Sequence, residues 1–245
     1  MSRIAIVSAM HEELSALLAL LHEAHTERRA GRDFHVGTID GHSVVLVLSG
    51  IGKVAAATTT AVLLDGLDVG ALLLTGVAGG LGAGVQVGDV VLAHSLLQHD
   101  MDASPLFPRY EVPLTGRSRF AADAALGVAL AAGCRRVLQA PHPALARFGI
   151  AAPRLHQGLV ISGDRFVATG AESQALLGAL PDALAVEMEG AAVAQVCADF
   201  ERPFGVVRTV SDRADDAAHV DFPRFIAEVA AEFSRDIVRA TLAQL

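Results

Sequence analysis

The sequence contains no tryptophan, one tyrosine and aromatic residues at only 4% of its 245 positions, so aliphatic side chains must fill its core. Cysteine is almost as scarce. Cys134 and Cys197 stand far apart, which excludes a disulfide framework and points to a reducing compartment, with a cytoplasmic location expected. Positive charge is in short supply: 19 Lys and Arg against 27 Asp and Glu give a formal net charge of −8. That balance offers no footprint for nucleic acid or an anionic membrane, and leaves a neutral or cationic small molecule as the expected partner. Long apolar runs are missing too. His11, Glu12 and Glu13 interrupt the apolar start before it reaches the length of a secretory signal. The stretch 71–82 is broken by glycine and is shorter than the ~20 residues a membrane span requires.

Hydrophobic residues make up 52% and charged residues 19%, a balance that excludes a disordered chain and gives a single domain over residues 1–245. Short β-branched runs recur at 4–7, 44–48, 71–75, 90–93, 159–162, 183–186 and 204–210. Several are apolar without alternation, as strands buried on both faces are. Helical spacing marks 10–21, 54–65, 120–132, 172–180 and 188–200 between them. A last helix is predicted with Asp221 as N-cap, Pro223 in its first turn, and Phe222, Phe225, Ile226, Val229, Phe233 and Ile237 at helical intervals. Strands alternating with helices imply an α/β fold with helices on both faces of a mainly parallel sheet. Two proline-bearing stretches, 100–119 and 139–156, lack periodicity and are expected to be functional loops.

Three strand ends carry acids. Glu12 and Glu13 follow the first run, Glu187-Met188-Glu189 follows another, and Ser211-Asp212 follows a third. Each alone is explained by a solvated helix start, where the helix dipole favours carboxylates. Together they suggest a convergent acidic pocket, because open α/β sheets place ligands at the carboxyl ends of their strands. Arg208 lies inside an apolar run, and a buried arginine needs a carboxylate partner. Gly76-Val77-Ala78-Gly79-Gly80 matches no dinucleotide fingerprint, and a tight strand-to-helix turn is its simplest account. Ser49-Gly50-Ile51-Gly52-Lys53 is not a Walker loop, since Val54 replaces the required Ser or Thr. His94, His99, Asp100 and Asp102 lack metal-ligand spacing, so hydrated surface polarity is expected there and no metal.

Taken together these motifs resemble a known family. Ala9-Met10-x-x-Glu13, Ser49-Gly50-Ile51-Gly52-Lys53, Thr75-Gly76-Val77-Ala78-Gly79-Gly80, Val87-Gly88-Asp89 and His99-Asp100-x-Asp102 come first. Ser162-Gly163-Asp164-x-Phe166, Val186-Glu187-Met188-Glu189 and Arg208-x-x-Ser211-Asp212 follow. Their order is that of the methylthioadenosine/S-adenosylhomocysteine nucleosidases, within the purine and uridine nucleoside phosphorylase superfamily. The resemblance implies a three-layer α/β/α sandwich with a central mixed, mainly parallel sheet, a homodimer, and neither metal nor organic cofactor. It implies Glu13 as the base that activates water and Asp212 as the acid that protonates adenine N7. Arg208 would place the water and Glu13. Glu189 would hold the ribose hydroxyls beside Met188, Phe166 would stack on adenine, and the backbone near Val167 would read its edge. Phe222 would line the sugar side. Met10, Ile51 and Ala78 would complete the wall, with Glu187 and Ser211 also in the substrate site.

Cleaving an N-glycosidic bond passes through an oxocarbenium-like cation that nearby carboxylates stabilise, best where water is scarce. Asp212 is expected to hold a proton near neutral pH and Glu13 to stay ionised, two acids tuned apart. Two other readings stand beside hydrolysis. One is phosphorolysis, which an acidic site disfavours; the other is a binding protein that has lost turnover. Val77 gives the second its motive, standing where the nucleosidases usually carry Ser.

Overall fold

Strand β1 (Arg3–Ser8) runs parallel to both of its neighbours, β4 (His42–Leu48) and β5 (Val69–Gly80). The structure, a computed structural model, describes residues 2–215 and 218–245, apart from the side chains of 219–221. Successive side chains of a strand point to opposite faces, and both faces here are covered. Ala5, Val7, Val45, Val47, Leu72 and Leu74 pack with residues of α2 (Lys53–Gly66) and α6 (Gly190–Asp199). Ile6, Val44 and Leu46 pack with α1 (His11–Leu18) and α8 (Ala231–Leu242). Double coverage is why these strands read as unbroken apolar runs. On the α8 side, α3 (Ala124–Leu138) packs closely because position 133 is glycine. A Cβ there would stand 2.7 Å from the backbone nitrogen of Thr241.

The large mixed sheet is present, but it is not one open layer. Strands β6 (Val90–Gln98), β8 (Leu155–Ser162), β9 (Ala183–Glu187) and β10 (Phe204–Asp212) close a ring with β5. β5 pairs with β10, β10 with β6, β6 with β8 and β8 with β9. β9 then returns to β5 through Gly79–Val186 and Gly80–Ala185. The sheet is mixed, as expected, with five strand pairings parallel and five antiparallel among the described residues; what differs from the expected sandwich is that part of it closes into a ring. The physical reason is the length of β5. Its 12 residues continue straight through Gly76–Gly80, where a tight turn was expected, and their glycine-rich end reaches β9.

Three strands were missed in the sequence. β2 (His22–Arg29) is polar and exposed along its length, an edge strand with no hydrophobic signal. It pairs with β3 (Arg32–Ile39), which pairs with β4. Their two-residue turns, Ala30-Gly31 and Asp40-Gly41, have positive φ at both positions, the geometry that suits a twisted hairpin. The Asp-Gly pair was the available clue. The run at 120–132 begins not as helix but as the short strand β7 (Phe120–Ala121) beside β6. Within 139–156 a short helix forms, α4 (Pro143–Arg147), capped by the His142 ring. Helix α5 (Gly170–Ala179) is capped by Thr169. The last helical segment starts with α7 (Ala218–Phe225), three residues before Asp221, so Pro223 lies inside the helix and not in its first turn. The Asp221 side chain lies outside the described residues. A π-helical turn, Ile226–Ala230, joins α7 to α8.

Candidate active site

The ends of β1, β5, β9 and β10 surround a cavity of about 320 Å³. All thirteen residues singled out in the sequence line it: Met10, Glu13, Ile51, Ala78, Phe166, Val167, Glu187, Met188, Glu189, Arg208, Ser211, Asp212 and Phe222. Sequence reasoning missed Ala9, Gly79, Arg165 and Val186 as wall residues, and cast Val77 only as a departure. Arg165 pairs with Glu172 of α5, and nothing in its local sequence marks it.

Glu13 occupies the third position of α1, where a carboxylate can reach back to the amides that open the helix. Its Oε2 accepts the Ala9 and Met10 N–H groups, each at 3.2 Å. Burial pushes its pKa up to about 7, against the opposing pull of the Arg208 charge and the amides of Met10, Ala9 and Val77. The expectation that Glu13 simply stays ionised is thus corrected: its carboxylate is 1% exposed and takes up a proton near neutrality.

Arg208 projects from β10 and is buried, as its place in an apolar run foretold. Its guanidinium pairs with Glu187, lies 3.4 Å from Glu189 Oε2 and donates to the Thr75 carbonyl at 3.4 Å. Glu187 is fully engaged. It accepts the Ser162 hydroxyl and the amides of Glu189 and Gly190 at the start of α6, besides Arg208. Glu189 is held more lightly, through the Gly52 N–H at 2.9 Å and Arg208. Burial, and then the neighbouring Glu187 charge, lift its pKa to about 7, with Arg208 opposing.

Asp212 ends β10, 1% exposed. Its Oδ1 accepts the Ala214 N–H at 2.8 Å and its Oδ2 accepts the Ser211 hydroxyl at 2.8 Å. The rings of Phe166 and Phe222 line the same cavity, edge to face with centroids 5.4 Å apart, so it has an aromatic part as well as an acidic one.

No group of three or more His, Cys, Asp or Glu side chains stands at metal-binding spacing among the described residues. In the cluster noted in the sequence, His94 meets Gln157 at 2.8 Å and Asp100 meets Lys53 at 2.6 Å. No helix among the described residues is long and apolar enough to cross a membrane.

Residues 3–243 match the phosphorylase superfamily, and the chain belongs to it. Within that superfamily it falls among the 5′-methylthioadenosine/S-adenosylhomocysteine nucleosidases. Such a nucleosidase from Bacillus thuringiensis (strain Al Hakam) is 37% identical over 237 residues, 97% of each chain. The crystal structure of the Neisseria meningitidis nucleosidase in complex with methylthio-immucillin-A matches with a TM-score of 0.88 and 34% identity over 100% of both chains. The Colwellia psychrerythraea 34H nucleosidase in complex with adenine gives 0.90 and 34%, over 100% of this chain and 96% of that one.

Proposed function

We propose that the protein hydrolyses the N-glycosidic bond of 5′-methylthioadenosine, S-adenosylhomocysteine or a related 5′-substituted adenosine, releasing adenine and the 5′-thioribose. The observation that carries this reading is that Glu13, Glu189 and Asp212 line one cavity around a buried arginine, together with an aromatic pair. Glu13 takes the proton of the attacking water. A base with its pKa about 7 is matched to that task at neutral pH. Asp212 gives a proton to N7, so that adenine leaves as a neutral molecule. Glu189 accepts the ribose hydroxyls beside Met188. Phe166 stacks on the base, the Val167 backbone reads its edge, Phe222 closes the sugar side, and Met10, Ile51 and Ala78 shape the rest. Arg208 keeps the carboxylates charged and in place.

Phosphorolysis fits the site poorly. The one wholly buried cation among the lining residues, Arg208, is already shared between glutamates, so a phosphate dianion would meet carboxylates. The family resemblance read in the sequence supports a homodimer without metal or cofactor, and the two distant cysteines support a cytoplasmic location. Incubation with methylthioadenosine, with and without phosphate, tests the reading. Adenine and free methylthioribose in both mixtures support it. Release only with phosphate replaces it by phosphorolysis, and binding without release replaces it by a binding role.

A further inference from the structure

Two chain segments that line the cavity, at Ile51 and at 165–167, also meet outside it, together with the end of β6, at Lys53, the only lysine in the sequence. Lys53 is the first residue of α2, just past Ile51 and Gly52. Its ammonium lies 2.6 Å from Asp100 Oδ1 and 3.2 Å from Gln98 Oε1 at the end of β6, and 3.9 Å from Asp164 Oδ2. Its own N–H donates to Asp164 Oδ1 at 2.7 Å, and the Asp164 N–H donates to Asp100 Oδ2 at 2.9 Å. The lysine side chain is 15% exposed.

An ordinary exposed ion pair orients little, because two flexible side chains are joined only to each other. Here the carboxylates also hold backbone amides, so the charges fix the chain itself. Both fixed points adjoin the site. The Gly52 N–H, one residue before Lys53, holds Glu189 at 2.9 Å. Phe166 and Val167 follow Asp164 by two and three residues and line the cavity.

We propose that Lys53, with Asp100 and Asp164, is a positioning residue that keeps the Gly52 amide on Glu189 and aims the segment bearing Phe166. The cluster thereby sets the sugar-holding wall in register with the base-stacking wall. It touches neither substrate nor reacting atoms, and the naming of those walls rests on the nucleosidase reading. A displacement near 1 Å at such a point is enough to weaken binding or turnover markedly.

Lys53→Met keeps most of the stem and removes the charge; Asp100→Asn removes the partner charge; Lys53→Arg restores a cation. Hydrogen exchange on the ligand-free protein reads the cluster without any substrate. In the first two variants the Gly52, Lys53 and Asp164 amides are expected to exchange at least ~10-fold faster, with the β5 amides unchanged. KM for methylthioadenosine is expected to rise ~10-fold while kcat changes less, with Lys53→Arg recovering most of both effects. Unchanged exchange at those amides overturns the proposal, as does unchanged KM in a variant whose exchange has quickened. Equal acceleration in β5 marks general loosening and also overturns it. If the wild type releases no adenine, the nucleosidase reading fails, while the exchange measurement still decides whether Lys53 orders these segments.

Discussion

Arg208 and Glu189 approach within 3.4 Å, with 1% and 6% of their side chains exposed, and Glu187 stands on the same guanidinium. Two carboxylates so close and so dry are tolerable only because a cation lies between them and solvent cannot. Arg208→Met should therefore strip the charge balance from Glu187, Glu189 and Glu13 together. The expected stability loss is ~3–5 kcal/mol, the usual result of leaving buried charges unpaired, read as a fall in the urea midpoint. Loss of turnover without any loss of stability would show that the glutamates do not depend on Arg208.

Glu13 ties activity and stability to pH in opposite senses. In the proposed role of base it must be ionised, so kcat/KM should climb tenfold per pH unit below about 7 and level off above it. Stability runs the other way. The folded pKa, about 7, is raised above the ordinary 4.5, so the folded state binds the extra proton between those values and stability declines as pH rises through that window. Glu13→Gln removes this linkage. Its Tm relative to wild type should be more favourable at pH 8 than at pH 5, while its turnover is lost. A difference in Tm independent of pH would contradict the raised pKa.

Asp212→Asn keeps an oxygen to accept the Ala214 amide, so the local backbone should hold. The proton proposed for N7 is gone. Turnover of methylthioadenosine is expected to fall at least ~100-fold, the usual cost of removing a general acid, with adenine affinity changed only a few-fold. Near-normal turnover would remove Asp212 from the chemistry.

Parts of this site are open to view in the sequence because strand ends are. Glu13, Glu189 and Asp212 each follow an apolar run buried on both faces, and Arg208 betrays its burial by sitting inside one. Depth is harder to see. Nothing local says that Glu13 is dry enough to hold a proton near pH 7, because the layers that bury it come from β5, β10 and the C-terminal helices. Nor does the sequence distinguish Glu187 from Glu189. The first spends its oxygens on Ser162 and the start of α6, and only the folded register at Ser162–Glu187 makes that contact. Ring closure was hidden for the same reason: Gly79 and Val186 pair across a long separation, and a glycine-rich segment carries no strand signal of its own. The edge strand β2 has no apolar period to detect.

Gly76 leaves room for both Arg208 and Glu13. It lies in the middle of β5, and a Cβ built on it would run into the Arg208 guanidinium and stand 3.0 and 3.3 Å from the two carboxylate oxygens of Glu13. Its φ of +156° is also one that an L side chain rarely adopts. Alanine at this point leaves the strand pairing with β10 available, since Arg208 and Gly76 are register partners through their backbones. The methyl group instead pushes the arginine toward Glu187 and Glu189, or Glu13 away from the amides of Ala9 and Met10. In the proposed mechanism either movement misplaces the water at Glu13, and errors of ~1 Å in such geometry cost on the order of 100-fold. Gly76→Ala should thus lose about that factor in kcat while keeping a cooperative unfolding transition, with a shift in the pH midpoint of the remaining activity. Wild-type kcat and an unmoved midpoint in this variant would mean that Glu13 and Arg208 have room to spare, and that their close packing around Gly76 is not what activates water.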